Sequence, residues 1–391
     1  MSQNLTIGVF FGSRNPEHDV SIITGQMIIA ELKKLNYTVV PVYIDKDGTW
    51  FSHDDIGSLK FFTQKDFTDT LKNMPPCEIL CNAKNNTLII KTKSLFSKET
   101  VIDLAFPAFH GMNGEDGTIQ GLFELSNVPY VGCDVASSAM TMDKIITKQL
   151  YKSAQIPTTA FTYFTQDDWD ADRDHVLAQI KNLHWPVFIK PARLGSSIGI
   201  AKAHDDAELL NACEVALHYD TRIIVEESVE NLMDITCAVL GNAQPVPSLV
   251  QESTFAGEHF SYEAKYLENG GAQLGNDQSS IVIPARIDKQ TTKTVQDMAV
   301  EIYKLFGCSG IARVDFLYDK KNATLYANEI NTMPGTLYHH LWKASGTDIH
   351  TLLQKLINLA LDKHKKKNAT TATFSSHLLD YAKSIKLQIN Q

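Results

Sequence analysis

Short apolar runs and segments of helical spacing alternate along the first third of the chain. Residues 6–11 (TIGVFF) are apolar and end at Gly12; Val20, Ile23, Met27 and Leu35 then recur near helical spacing, and residues 39–44 are apolar again. The order predicts strand, helix, strand, the repeating unit of a parallel sheet. Residues 45–100 are irregular, apart from a hairpin predicted over 78–91. Residues 104–109 predict another buried strand, followed by a loop over 110–117 and a helix over 118–125.

The pattern then changes. Residues 142–154 predict a helix leading into an antiparallel α+β region, with strands over 186–190 and 198–203 flanking a Gly/Ser loop and a helix over 207–217. Strands over 223–227 and 235–240 follow, then a long polar loop over 253–280, and finally a helix, a hairpin and a helix. The charge run His364-Lys365-Lys366-Lys367 and the polar residues 368–373 predict a linker before a short amphipathic helix carrying Phe374, Leu378, Leu379 and Ile385. The predicted organisation is an N-terminal α/β domain over 1–130, two α+β subdomains over 131–222 and 223–363, and a tail over 364–391.

A chain of 391 residues supports several domains around a shared cleft. Its composition, 43% hydrophobic and 21% charged, is that of a globular protein. A net charge of -9 argues against a nucleic-acid partner, which needs a basic face. There is no basic, apolar leader pattern and no apolar run of membrane-spanning length, so a cytoplasmic protein without membrane association is expected. The six cysteines are scattered; Cys77 and Cys81 lack a second pair to complete a zinc site.

Residues 311–318 and 324–331 are β-prone and joined by Asp319-Lys320-Lys321-Asn322, a turn sequence. Strand alternation puts Arg313 with Asp315 on one side, and Glu329 with Asn331 on one side of the partner strand. Two carboxylates and an amide are hard oxygen ligands of the kind Mg²⁺ takes together with substrate phosphates. A surface salt-bridge face is the equal alternative from spacing alone. A strand also delivers Lys190 to the loop Arg193-Leu194-Gly195-Ser196-Ser197, whose N–H groups and hydroxyls suit phosphates, although the spacing is not that of a Walker A motif. Glu17-His18-Asp19 and His110-Gly111-Met112-Asn113-Gly114-Glu115 follow strands, the usual place for ligand loops in open α/β sheets; helix capping and turn formation are the plainer alternatives.

Taken together, EHDVS at Glu17, FHGMNGEDGTIQG at Phe109, KPARLGSSIG at Lys190, YEAKY at Tyr262, and RVDF with NEINTMPG near the end closely resemble the D-alanine:D-alanine ligases of the ATP-grasp superfamily. The resemblance runs over about residues 6–361 and implies a three-domain ATP-grasp fold. The implied reaction converts the carboxylate of one D-alanine to an acyl phosphate with ATP and captures it with the amine of a second, for peptidoglycan precursors. By the same resemblance Glu17 holds the first ammonium group and joins Ser196 and Tyr266 in a hydrogen-bonded triad. Lys144, Lys190, Ser197 and Lys265 meet the phosphates, Glu226 and Glu227 the adenine, Asp234 the ribose, and Asn328 and Glu329 line the nucleotide. Asp315, Glu329 and Asn331 hold Mg²⁺, for which Mn²⁺ can substitute. Arg313 and Gly335 face the tetrahedral intermediate, His110 lies at the substrate, and a homodimer is implied.

Two positions depart from the family pattern. Asp234 stands where Glu is usual for the ribose. After Gly335 the chain reads Thr336-Leu337-Tyr338-His339-His340-Leu341, which places His340 and Leu341 at the acceptor carboxylate, with His340 where a serine is expected. That substitution favours, as alternatives, a ligase using D-serine, D-lactate or another acceptor. A nucleotide-binding regulator without turnover is the reading from another class, opposed by the presence of Lys144, Lys190, Asp315, Glu329 and Asn331.

Overall fold

The structure is a computed structural model that describes residues 5–93, 97–254 and 281–381. Strands β1 (Thr6–Gly12), β2 (Thr38–Ile44) and β3 (Trp50–Phe51) begin the chain. A three-stranded antiparallel sheet follows, from β4 (Cys77–Asn82), β5 (Thr87–Thr92) and β6 (Glu99–Ile102), and then β7 (Leu104–Pro107). The first sheet has the order β3-β2-β1-β7, with β1 parallel to both β2 and β7. Its central strand is buried on both faces, which is why it reads as a continuous apolar run.

A second sheet contains β8 (Phe161–Thr165), β9 (Val187–Pro191), β10 (Ala201–Ala203) and β11 (Arg222–Glu227) in the order β10-β9-β11-β8, antiparallel throughout. The helix Asp206–Tyr219 buries Leu209, Ala212, Cys213 and Ala216 in the same core as Val187, Ile189 and Val225. The third sheet, in the order β14-β13-β12-β15-β16, is built from β12 (Leu232–Gly241), β13 (Val246–Ser253), β14 (Ile281–Val282), β15 (Gly310–Asp319) and β16 (Thr324–Asn331). The amphipathic helix Lys289–Leu305 covers it with Val295, Ala299 and Ile302.

Four expectations change. The second sheet extends through β11, so the break between second and third sheets falls after Glu227 and not before residue 223. Only Ala201–Ala203 of the expected strand over 198–203 is a strand. The helix expected over 142–154 starts at Lys144, after Asp143, whose carboxylate caps it by accepting from the Ile145 and Ile146 N–H groups. Residues 364–367 are no linker: they form the last turn of the helix Ile349–Asn368, where lysines complement the helix dipole.

That helix ties the molecule together. Its Leu352, Leu353, Leu356 and Ile357 share one core with Ile7, Val9 and Phe11 of β1, Ile28 and Ile29 of the helix His18–Lys34, and Leu337, Tyr338, Leu341 and Trp342. The segment after β16 is thereby wedged against the first sheet. The loops leaving β1 and β7 are held over the β15-β16 hairpin. Five of the six cysteines are buried, and all six are unpaired thiols.

Candidate active site

Glu17 follows β1 and His110 follows β7, so both lie beyond the carboxyl ends of adjacent parallel strands. Asn15 stitches their loops together: its Oδ1 accepts from the Glu17 N–H at 2.9 Å, and its Nδ2 donates to the Met112 carbonyl at 2.7 Å. The Glu17 carboxylate accepts a short hydrogen bond from Ser196 Oγ, which brings the loop after β9 to the first sheet. Two glycines press on the same carboxylate. A Cβ at Gly111 would stand 2.5 Å from Glu17 Oε2, and one at Gly195 would stand 2.8 and 2.9 Å from its two oxygens. Gly111→Ala, also strained by a φ of 75°, is expected to displace Glu17 and cut ligation severely with little change in nucleotide affinity. Steady-state kinetics beside nucleotide titration would check this, and unchanged kinetics would rule out the close contact.

Glu115 sits behind Glu17. Its Oε1 accepts from the Met333 N–H at 3.1 Å and its Oε2 from the Gly111 N–H at 3.0 Å, which fastens the segment after β16 to the loop after β7. Burial, and then the neighbouring Glu17 charge, push its carboxyl up to about 8. His110 makes a second fastening through Thr24 Oγ1 at 2.8 Å, and Thr24 also accepts from the Thr336 N–H at 3.2 Å. Burial, followed by Arg313, lowers the imidazole to about 3, so it is neutral.

The hairpin delivers what alternation predicts. Arg313 is the cross-strand partner of Asn331, and Asp315 of Glu329, with a bulge just beyond Asp315. Arg313 donates to both oxygens of Asp315, from Nε at 2.9 and 3.0 Å and from Nη2 at 2.6 Å, and Thr236 Oγ1 donates to Asp315 Oδ1 at 2.9 Å. Burial raises the Asp315 carboxyl, Arg313 lowers it, and the Glu329 charge raises it again, leaving it above its ordinary value. Glu329 Oε1 lies 3.8 Å from Arg313, and Oε2 lies 3.9 Å from Lys144 Nζ.

Two pockets share a wall. One is lined by Glu17, His110, Glu115, Arg313, Asn331 and Gly335; the other by Phe188, Lys190, Ser197, Glu226, Glu227, Asp234, Leu317 and Asn328. Lys144, Leu194, Gly195, Ser196 and Glu329 belong to both. Lys144 is clamped there: its N–H donates to the Ala192 carbonyl at 2.9 Å, and its Nζ to the Leu194 carbonyl at 2.6 Å. Glu226 is fully buried and bound by Lys148 at 2.9 Å and Lys190 at 3.3 Å. Burial opposes its ionisation, yet the two lysines prevail and hold it at about 2. Its Oε1 has no hydrogen-bond partner among the described residues. Glu227 accepts from the His184 N–H at 2.9 Å.

Among the described residues, Asp315, His340 and Leu341 line neither pocket. Leu341 is wholly buried in the core, and His340 Nε2 meets Gln251 Oε1 at 2.7 Å. Lys265 and Tyr266 lie outside the described residues, so the Glu17–Ser196 pair is the part of the expected triad in view. Thr336, Leu337 and Tyr338, with φ of 47°, 57° and 50°, are all left-handed, each at a cost of roughly 1–2 kcal/mol for an L side chain.

The chain matches the family model described as D-ala D-ala ligase N-terminus over residues 6–133, and the one described as D-ala D-ala ligase C-terminus over 150–358. It belongs to the D-alanine–D-alanine ligase family. A D-alanine–D-alanine ligase of Acetivibrio thermocellus is 39% identical over 376 residues, covering 93% of this chain and 98% of the relative. Among solved structures, the D-alanine-D-alanine ligase of Coxiella burnetii superposes with a TM-score of 0.78 at 29% identity, covering 97% of this chain and 98% of that one. The VanG D-Ala:D-Ser ligase of Enterococcus faecalis gives 0.76 at 34% identity, covering 91% and 99%.

Three site residues of this ligase carry no assignment from its motifs. Glu115 is inside one of them, where a carboxylate among glycines and an asparagine is the signal. Lys148 stands on the buried stripe Ile145, Lys148, Tyr151 of its helix, a lone cation at an apolar position. Thr236 is marked by nothing local, since only the pairing of β12 with β15 brings it to Asp315.

The buried histidines also predict a pH response. His340 is lowered to about 4 by burial, then by His339 and Arg313. The folded chain therefore declines protons that the unfolded chain accepts below the ordinary 6.5. This stabilisation is complete above 6.5 and is lost as pH falls through the folded values. Melting temperature should drop from pH 6.5 toward 4 in the wild type, with a shallower slope for His340→Gln; equal slopes would show that His340 titrates normally.

Proposed function

We infer that this chain joins two D-alanines into D-alanyl-D-alanine at the expense of ATP, supplying peptidoglycan precursors from the cytoplasm as a homodimer. The observation that carries the reading is the wall common to both pockets: a charged pocket holding Glu17 and Arg313, suited to an amino acid, and a slot of mixed polar and apolar lining, suited to a nucleotide, meet at Lys144, Ser196 and Glu329. Among the described residues no helix is long and apolar enough to cross a membrane.

The roles follow from charge and placement. Glu17 accepts the ammonium group of the first D-alanine, which leaves its carboxylate directed at the shared wall. Adenine takes the slot lined by Phe188, Leu317, Glu226 and Glu227, while Asp234 takes the ribose. Lys144, Lys190, Ser196 and Ser197 meet the phosphates and orient the γ-phosphorus toward that carboxylate. The carboxylate oxygen attacks, ADP departs and an acyl phosphate forms; the amine of the second D-alanine then attacks the acyl carbon and phosphate leaves. Arg313 and the Gly335 N–H stabilise the oxyanion of that second step.

The residues around Glu329 fit Mg²⁺. Among the described residues no group of three His, Cys, Asp or Glu side chains could hold a metal. The carboxylates of Asp315 and Glu329 do repel one another, raising Asp315, and Asn331 Nδ2 already lies 3.3 Å from Asp315 Oδ2, within reach of the same point. Two carboxylates and one amide oxygen, completed by phosphates, make a donor set for Mg²⁺ or Mn²⁺. Bound there, the ion would neutralise charge on the β- and γ-phosphates.

Incubation with Mg-ATP and D-alanine alone should yield a product with the mass of the dipeptide, together with equimolar ADP. Absence of the dipeptide would overturn the reading. Preference for a mixed product when D-serine is added would move the acceptor toward that of the Enterococcus relative.

A further inference from the structure

The segment that follows Gly335 departs from the family pattern, and its most unusual feature is where it places Tyr338. The ring is buried, with the Arg313 guanidinium carbon 5.1 Å from its centroid. The His340 ring lies 4.9 Å from it, tilted by 47°, and His340 Nε2 is tied to the buried Gln251 at 2.7 Å. Arg313 is held in one direction by Asp315, which fixes the edge of the guanidinium that carries Nε and Nη2. The carboxylate fixes the fork of the guanidinium, and the Tyr338 ring beneath its central carbon gives the cation a second, aromatic support. Three successive left-handed residues deliver that ring, a backbone that L side chains adopt only when their surroundings impose it.

We propose that Tyr338 is a positioning residue for ligation, acting through Arg313, and that His340 buttresses Tyr338 instead of gripping the acceptor carboxylate. The assignment rests on the reading of Arg313 given under the proposed function. A cation desolvated over a ring face gains from the ring quadrupole, so the ring also favours the buried charge that must face the developing oxyanion. The acceptor carboxylate is then left to backbone N–H groups and to Arg313 itself.

The test compares Tyr338→Phe, Tyr338→Leu, Arg313→Lys and the Tyr338→Leu/Arg313→Lys double variant for dipeptide formation from D-alanine and Mg-ATP, with melting temperatures measured on each. Tyr338→Leu should lower kcat by about tenfold or more while the KM for ATP stays within about twofold. Tyr338→Phe, which keeps the ring face, should restore most of the lost kcat. The double variant should be no worse than Arg313→Lys by more than about twofold, because the leucine has nothing left to misplace. A ring needed only for packing would lower the melting temperature of Tyr338→Leu and leave kcat per folded molecule intact, and a kcat loss in Tyr338→Leu that multiplies with that of Arg313→Lys would show that the ring acts independently of the guanidinium; either result overturns the proposal. A wild-type chain that forms no dipeptide overturns the reading of Arg313 and the proposal with it, whereas an active wild type with a fully active leucine variant removes Tyr338 alone.

Discussion

Replacing Glu329 by glutamine is expected to leave a folded protein whose ATP-driven ligation has fallen by on the order of 10²–10³-fold. Glu329 belongs to the wall shared by the two pockets, 3.8 Å from Arg313 and 3.9 Å from Lys144. Without its charge the two cations face each other, and the proposed Mg²⁺ keeps one carboxylate where it had two. Its ion-pair distances are long and its side chain is 26% exposed, so stability should change little. The diagnostic set is kcat for ADP release, its dependence on Mg²⁺ concentration, and a thermal melt. Turnover within about threefold of wild type at every Mg²⁺ concentration would remove Glu329 from the chemistry. Asp315→Asn is a different experiment, because that carboxylate neutralises the buried Arg313. It should cost stability as well as turnover.

The contrast between these two carboxylates shows what a sequence makes legible. Alternation along a strand is a local property with a fixed period, so the shared faces of Arg313 with Asp315 and of Glu329 with Asn331 could be read before any fold was known; the pairing of Arg313 with Asn331 and of Asp315 with Glu329 comes from the register. Alternation says nothing about what stands on the neighbouring strand. Thr236 and the closeness of Arg313 to Asp315 separate Asp315 from the pocket wall, and these depend on sheet order. The same limit explains the misplaced break at residue 223: β11 looks like the start of a new unit, yet it lies between β9 and β8. Where the sequence signal is compositional, it misleads differently. His364 to Lys367 read as a linker by charge, although lysine is a good helix former and the residues before them bury Leu352, Leu356 and Ile357 on one face.

Motifs succeed for another reason. The glycines of HGMNGEDG and the loop after β9 look like turn residues, which they are, but Gly111 and Gly195 are also the surfaces against which the Glu17 carboxylate rests. A pattern spread over three loops records a single contact. The residues that fasten those loops, Glu115 and Thr24, bind backbone N–H groups of the segment after β16. Such partners lie more than two hundred residues away along the chain and leave no periodic trace.

Lys148→Met should be the most destabilising single change at the proposed nucleotide pocket, by about 3 kcal/mol, the low end of what is expected when one partner of a buried ion pair is removed. Lys148 is 1% exposed, and its ammonium meets Thr158 Oγ1 at 2.9 Å, Thr159 Oγ1 at 2.8 Å and Glu226 Oε2 at 2.9 Å. Burial lowers its pKa while Glu226 raises it, with a net lowering. Without it Glu226 keeps its charge only through Lys190 at 3.3 Å and Thr159 at 3.1 Å, which is why the cost falls at the low end. Among the described residues Lys190 then becomes the sole cation opposite Glu226 and is drawn from the proposed phosphate site, so the KM for ATP should rise as stability falls. Denaturant midpoints and ATP titrations would measure the two effects. Glu226→Gln added to Lys148→Met should recover part of the lost stability, because the uncompensated charge is gone. A double variant that is less stable than Lys148→Met would show that the carboxylate is not the group Lys148 compensates.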